Sequence, residues 1–135
     1  MKKMMMTTTT PNTNPIQGLG NDIIEVDRIK KSIERFGAHF LQKIFTLSEI
    51  AYCEKHSQYA RHFAGRFAAK EAIAKALGCG FGHKLSWHDL EILNHATGKP
   101  YVVFSKKAAL LFNSPVIHLS ISHCKDYASA VAIWT

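Results

Sequence analysis

Residues 16–26, IQGLGNDIIEV, alternate with the two-residue period of a strand: Leu19 and Ile23 fall on one face, Gly18, Gly20, Asp22 and Ile24 on the other. Glycines inside a strand mark the close approach of another backbone or of a ligand, so Asp22 stands just past two small residues where something can come near. The period then changes. Val26, Ile29, Ile33 and Phe36 recur every three or four residues and predict a helix stopped by Gly37, with Arg28, Lys30, Lys31 and Arg35 off the stripe as a basic outer surface. Thr46-Leu-Ser-Glu49 has the form of a capping box and predicts a shorter helix. The longest helix is predicted over 61–77, RHFAGRFAAKEAIAKAL, rich in alanine and ended by Gly78. Beyond the loop CGFGH, strands are predicted at 90–93 and 101–104 around a TGKP turn. A helix follows at 105–112, then strands at 116–122 and 128–134 joined by HCKDY. Helices in the first half and antiparallel-capable strands in the second predict an α+β fold: a single small domain, an antiparallel sheet with packed helices.

Composition narrows the class. The 135 residues, 47% hydrophobic and 20% charged, suit one globular domain with its own core. Residues 1–15 are polar and repetitive (TTTTPNTNP) and are read as a disordered extension or an expression remnant, leaving 16–135 as the domain. No apolar run reaches the roughly 18 residues of a membrane span, and no apolar stretch follows Lys2 and Lys3 as in a signal peptide, so a cytoplasmic protein off the membrane is expected. Cys53, Cys79 and Cys124, odd in number and without CxxC spacing, argue for free thiols rather than disulfides or a cysteine zinc site. The net charge of +7 attracts nucleic acid, anionic lipid, nucleotides or an acidic protein; the cations are scattered and form no nucleic-acid recognition motif, so charge alone leaves the partner class open.

The most informative residue is Glu71. On a helix it lies about 40° from Phe67 and about 60° from Ala74, inside an apolar arc where a carboxylate needs a partner. Lys75, four residues on, is one such partner; a cation is another. Asp22 favours the cation, since two carboxylates with positions left open for water and phosphate are a common Mg²⁺ site. Arg66, Lys70 and Lys75 on the same helix suit a phosphorylated ligand, although each taken alone is more often a solvated surface charge. Gly78-Cys-Gly80-Phe-Gly82 follows a helix rather than preceding one, so it is no phosphate-binding fingerprint, and a helix stop explains it. The eight histidines lack zinc-site spacing; His123, at a strand end beside a short turn, is the best functional candidate among them. Ser120 and Ser122 lack the GxSxG surroundings of a nucleophile.

Taken in order, GLGNDIIEVDRI, KIFTLSEIAYC, RFAAKEAIAKALGCG, WHDLEIL, GKPY and HLSISHCKDYASAVAI resemble the holo-acyl-carrier-protein synthases, a family of phosphopantetheinyl transferases, over about residues 16–135. The GxGxD element and the RFAAKEAxxKAxG helix are each distinctive and together highly specific. The resemblance implies transfer of the 4′-phosphopantetheine arm of coenzyme A to a serine of acyl carrier protein, in support of fatty acid biosynthesis, with release of adenosine 3′,5′-bisphosphate. It implies Asp22 and Glu71 as Mg²⁺ ligands and Arg66, Lys75 and the Gly78–Gly80 turn beside coenzyme A. It also implies Lys75 at the transferred phosphoryl group, His123 near the coenzyme A phosphates and Arg28 on the carrier-protein surface. An acidic carrier would explain the +7 charge by steering, and a homotrimer with active sites between subunits is expected. The 1–15 extension is not part of the family pattern. The competing reading, a basic binding module without chemistry, explains the charge but not an acidic pair set among small and apolar residues.

Overall fold

The computed structural model describes residues 15–135. The extension read at residues 1–15 thus lies outside the described residues except for Pro15, which is exposed and irregular. Strand β1 (Gly18–Glu25) runs directly into helix α1 (Val26–Phe36), as the change of period requires. Gly37, read as a helix stop, is a corner. Its φ of 56° suits glycine, and the chain re-enters a helix at once as α2 (Ala38–Ile44), an element the sequence pattern did not single out. Helix α3 (Leu47–Glu54) carries both halves of the expected capping box: the Glu49 amide donates to Thr46 Oγ1 at 3.3 Å and the Thr46 amide to Glu49 Oε1 at 2.8 Å.

Helix α4 (Tyr59–Ala76) starts two residues ahead of expectation and ends as predicted, with Gly78 at φ 77°. A 3-10 turn (Trp87–Asp89) leads into strands β2 (Leu90–Asn94) and β3 (Pro100–Phe104). Helix α5 (Lys106–Leu111) and strands β4 (Ile117–His123) and β5 (Tyr127–Trp134) complete the domain. The strands form two antiparallel sheets rather than one: β1-β5-β4, and a ribbon of β2 and β3.

Helix α4 lies on the three-stranded sheet, and small residues bring it close. Ala128, Ala130 and Ala132 of the central strand are buried against it, as are Ala68, Ala69, Ala72 and Ala76 of the helix. A Cβ on Gly20 would stand 2.0 Å from the Ala72 carbonyl oxygen, and one on Gly18 1.8 Å from that of Ala76. The glycines of β1 therefore admit a helix backbone. Because Gly18 meets Ala76 and Gly20 meets Ala72, the helix runs antiparallel to β1, four helical residues (about 6 Å) matching two strand residues (about 6.8 Å). Asp22, two residues further on the same face, is thereby delivered to the stretch of α4 that carries Glu71.

The opposite face of β1 is the apolar surprise. Leu19 and Ile23 are 65% and 66% exposed, and Val131 and Tyr127, their neighbours on β5, are also exposed.

Lys70 departs from its expected role as a phosphate ligand. Its side chain is fully buried, and Nζ donates to Glu49 Oε1 at 2.8 Å, to the Ile44 carbonyl at 2.8 Å and to the Trp87 carbonyl at 3.1 Å. Three donors meet three acceptors, so the ammonium is satisfied inside the protein. Burial still pulls its pKa down, with the Glu49 charge acting against that. Glu49 Oε2 accepts the Ile92 amide, so this one ion pair ties α2, α3, α4, the 3-10 turn and β2 together.

Candidate active site

Asp22, Glu71 and Lys75 meet where β1 crosses α4. Lys75 Nζ lies 3.2 Å from Asp22 Oδ1 and donates to the Asn21 carbonyl at 2.9 Å. The expected helical pair between Glu71 and Lys75 is not the one formed; Lys75 reaches across to the strand instead. Glu71 is half-buried, and its pKa is raised, first by burial and then by the charge of Asp22, with Lys75 offsetting only part. Two carboxylates therefore stand close enough to repel, with one lysine bonded to one of them. Among the described residues no three His, Cys, Asp or Glu side chains are grouped so as to hold a metal ion between them. The donor set is a pair of hard oxygens, which suits a cation that keeps several water or phosphate oxygens of its own.

A second group lies across the sheet. Asp22 is paired with Ala130, and Ala130 with Ile121, which places Ile121 two strands away, about 10 Å, on the same helix-facing surface. Ile121 borders a cavity of about 160 Å³ lined also by Tyr52, His62, Arg66, Asn94 and His123. Arg66 is buried there, its guanidinium over the Tyr52 ring, and its Nη2 donates to Asn94 Oδ1. Arg66 Nε, also buried, has no partner. An orphaned guanidinium nitrogen is expensive to bury, and beside a histidine pocket it calls for an anion. The face of α4 thus offers two carboxylates and a lysine at one place and an anion pocket at another, an arrangement for an extended ligand with anionic groups at two points.

The predicted residues divide accordingly. Asp22, Glu71 and Lys75 come together; Arg66 and His123 share the cavity. Gly78 donates its amide to the Lys75 carbonyl at 3.0 Å, so the turn containing Gly80 closes the helix beside the lysine. Arg28 is exposed on α1 and belongs to neither group. Ser120 and Ser122 point to the sheet face away from Asp22, in the alternate register to Ile121. Sequence reading missed Tyr52, His62 and Asn94, which line the same cavity. Only the spacing of four between His62 and Arg66 hinted at a shared face.

A family model, the 4'-phosphopantetheinyl transferase superfamily, matches residues 18–132. The chain belongs to that superfamily. It is 53% identical over 118 residues to the holo-[acyl-carrier-protein] synthase of Protochlamydia amoebophila, covering 87% of this chain and 97% of that protein. With the enzyme of the same name from Ruminiclostridium cellulolyticum it shares 50% over 120 residues, 85% of this chain and 89% of the relative. Among solved structures, the Helicobacter pylori holo-[acyl-carrier-protein] synthase in complex with coenzyme A superposes with a TM-score of 0.80 at 36% identity, over 87% of this chain and 99% of that one. The Neisseria meningitidis enzyme gives 0.82 at 31%, over 90% and 99%. The α+β fold expected from the sequence and the family resemblance are both borne out.

Proposed function

We propose that this protein is a holo-acyl-carrier-protein synthase. It transfers the 4′-phosphopantetheine arm of coenzyme A to a serine hydroxyl of apo-acyl carrier protein and leaves adenosine 3′,5′-bisphosphate. The observation that carries the reading is the convergence of Asp22 and Glu71 from two elements, with Lys75 between strand and helix and the Arg66 cavity about 10 Å away. Asp22 and Glu71 would hold Mg²⁺, which supplies neutralisation of the charge that develops on the pyrophosphate during phosphoryl transfer. Lys75, whose side chain is 55% exposed, is free to leave Asp22 for the transferred phosphoryl group. Arg66 and His123 hold the nucleotide end by its phosphates, and the Gly78–Gly80 turn lets the ligand pass close to the backbone at the end of α4. Arg28, exposed on the basic α1, meets the acidic carrier protein, in keeping with the net charge of +7.

Intact-mass spectrometry of apo-acyl carrier protein incubated with this enzyme, coenzyme A and Mg²⁺ tests the reading. A gain of one phosphopantetheine arm is expected, and it should vanish when the metal is chelated. No gain with a competent carrier and a folded enzyme would leave only a binding protein.

The active form is a homotrimer in the cytoplasm. Support for the trimer comes from the outer sheet face: Leu19, Ile23, Tyr127 and Val131 form an exposed apolar surface of the sort a subunit contact covers. Sedimentation at micromolar concentration should give three times the chain mass; a monomer would overturn this assignment. The cytoplasmic assignment is supported by the acyl carrier protein substrate and by the described helices, none of which is long and apolar enough to cross a membrane. Fractionation that placed the native protein in the membrane would count against it.

A further inference from the structure

Two histidines that line the cavity beside Arg66, His62 and His123, join with His56 behind them in a cluster that phosphate binding by Arg66 and His123 leaves unexplained. His56 stacks on His62 with ring centroids 3.9 Å apart, and His123 meets His62 edge-on at 5.2 Å. Tyr52 borders both His56 and His62, at 4.8 and 5.9 Å. His56 Nδ1 lies 2.8 Å from the Tyr52 carbonyl oxygen, which can only accept, so that nitrogen carries a proton.

The groups around His62 are cationic or can become so. Arg61 and Arg66 share α4 with it, His56 comes from the connection after α3, His123 ends β4, and Lys55 sits over the Tyr52 ring behind the stack. Burial first, then His56, His123, Arg66 and Arg61, pull the His62 pKa down to about 4. At neutral pH the ring is therefore uncharged although it faces an anion pocket. A dianion in that pocket would oppose the cationic charges that act on the ring after burial, and so favours its protonated form.

We infer that His62 is a proton-taking ligand for a phosphate group: as a phosphate dianion seats between Arg66, His123 and His62, the His62 ring takes up a proton from solvent. The bound group then gains a charge-assisted hydrogen bond that the free protein does not hold ready. The inference rests on the transferase reading, in which the phosphate belongs to coenzyme A. Nucleotide affinity should fall as pH rises, since the bound state carries a proton that becomes harder to supply.

Calorimetric titration of the full chain with coenzyme A and Mg²⁺ at pH 6.5 and 8, in buffers of different ionisation enthalpy, tests it. If the bound His62 has a pKa near 7, affinity should be about fourfold greater at pH 6.5 than at pH 8, with about half a proton taken up per nucleotide at pH 7. Both signals should disappear in His62→Gln, and in His62→Phe, which keeps an aromatic ring for the stack. Imidazole resonances of the wild-type protein should show His62 titrating near its low free value and moving up when coenzyme A saturates the site. Binding whose pH ratio and proton uptake persist unchanged in both variants would overturn the role of His62 while leaving the transferase reading intact. Failure of coenzyme A to bind at either pH would overturn both.

Discussion

Alanine at Asp22 or at Glu71 should lower phosphopantetheine transfer by about 10³-fold, the equivalent of about 4 kcal/mol of barrier, without unfolding the protein. Neither carboxylate is needed by the core. Asp22 bonds only to a half-exposed lysine, and Glu71 sits where burial and its neighbour's charge both oppose ionisation. Glu71→Gln sharpens the test. It removes a charge that Asp22 repels, so the ligand-free variant should melt no lower than the wild type and lose transfer all the same. The direction follows from the raised pKa: the folded state holds the Glu71 proton more tightly than the unfolded chain does. At neutral pH the ionised form therefore destabilises the fold, and neutralising it relieves that cost. A group kept for stability would behave in the opposite way. Should Glu71→Gln retain full Mg²⁺-dependent transfer and lose stability instead, the metal assignment would be wrong.

Lys70→Met should damage the fold severely. It leaves Glu49 charged in a fully buried position, and breaking such a pair costs about 3–5 kcal/mol, lowering the melting temperature of a domain of this size by about 10–20 °C. Adding Glu49→Gln removes the orphaned charge while keeping an acceptor for the Ile92 amide, so the double variant should recover part of the loss. Thermal melts of the two single variants and the double give the coupling directly. A Lys70→Met protein within about 1 kcal/mol of wild type would show the pair to be replaceable by packing alone. The consequence reaches the active site, because Glu71 follows Lys70 on α4 and the pair anchors that part of the helix from below.

These two outcomes separate what each adjacent residue of α4 does, and the sequence could separate them only in part. Glu71 was legible because helical spacing alone puts it among Phe67 and Ala74, and a carboxylate in such a place requires a partner. Lys70 was misread as a ligand for phosphate. Its partners are Glu49, 21 residues earlier, and the Trp87 carbonyl, 17 residues later, and no local pattern announces a pairing at that range. The histidine cluster was hidden for the same reason: His56, His62 and His123 meet only after β4 is laid against α4. Helix α2 escaped because a glycine that ends one helix can also turn the chain into the next, and the choice lies in a φ of 56° at Gly37.

By itself the sequence determined the local conformations and the chemistry each could carry. Alternation made β1, the box of Thr46 and Glu49 started α3, alanine built α4, and the glycines of β1 demanded that something come close. Only the tertiary structure decided that the close neighbour is the backbone of α4. That contact carries Asp22 to Glu71, moves Lys75 from its helical neighbour to the strand, and turns Leu19 and Ile23 outward. The reason is physical. Periodicity and capping act within a few residues and are written in the chain order, whereas burial, charge pairing and cavity shape depend on which distant surfaces meet.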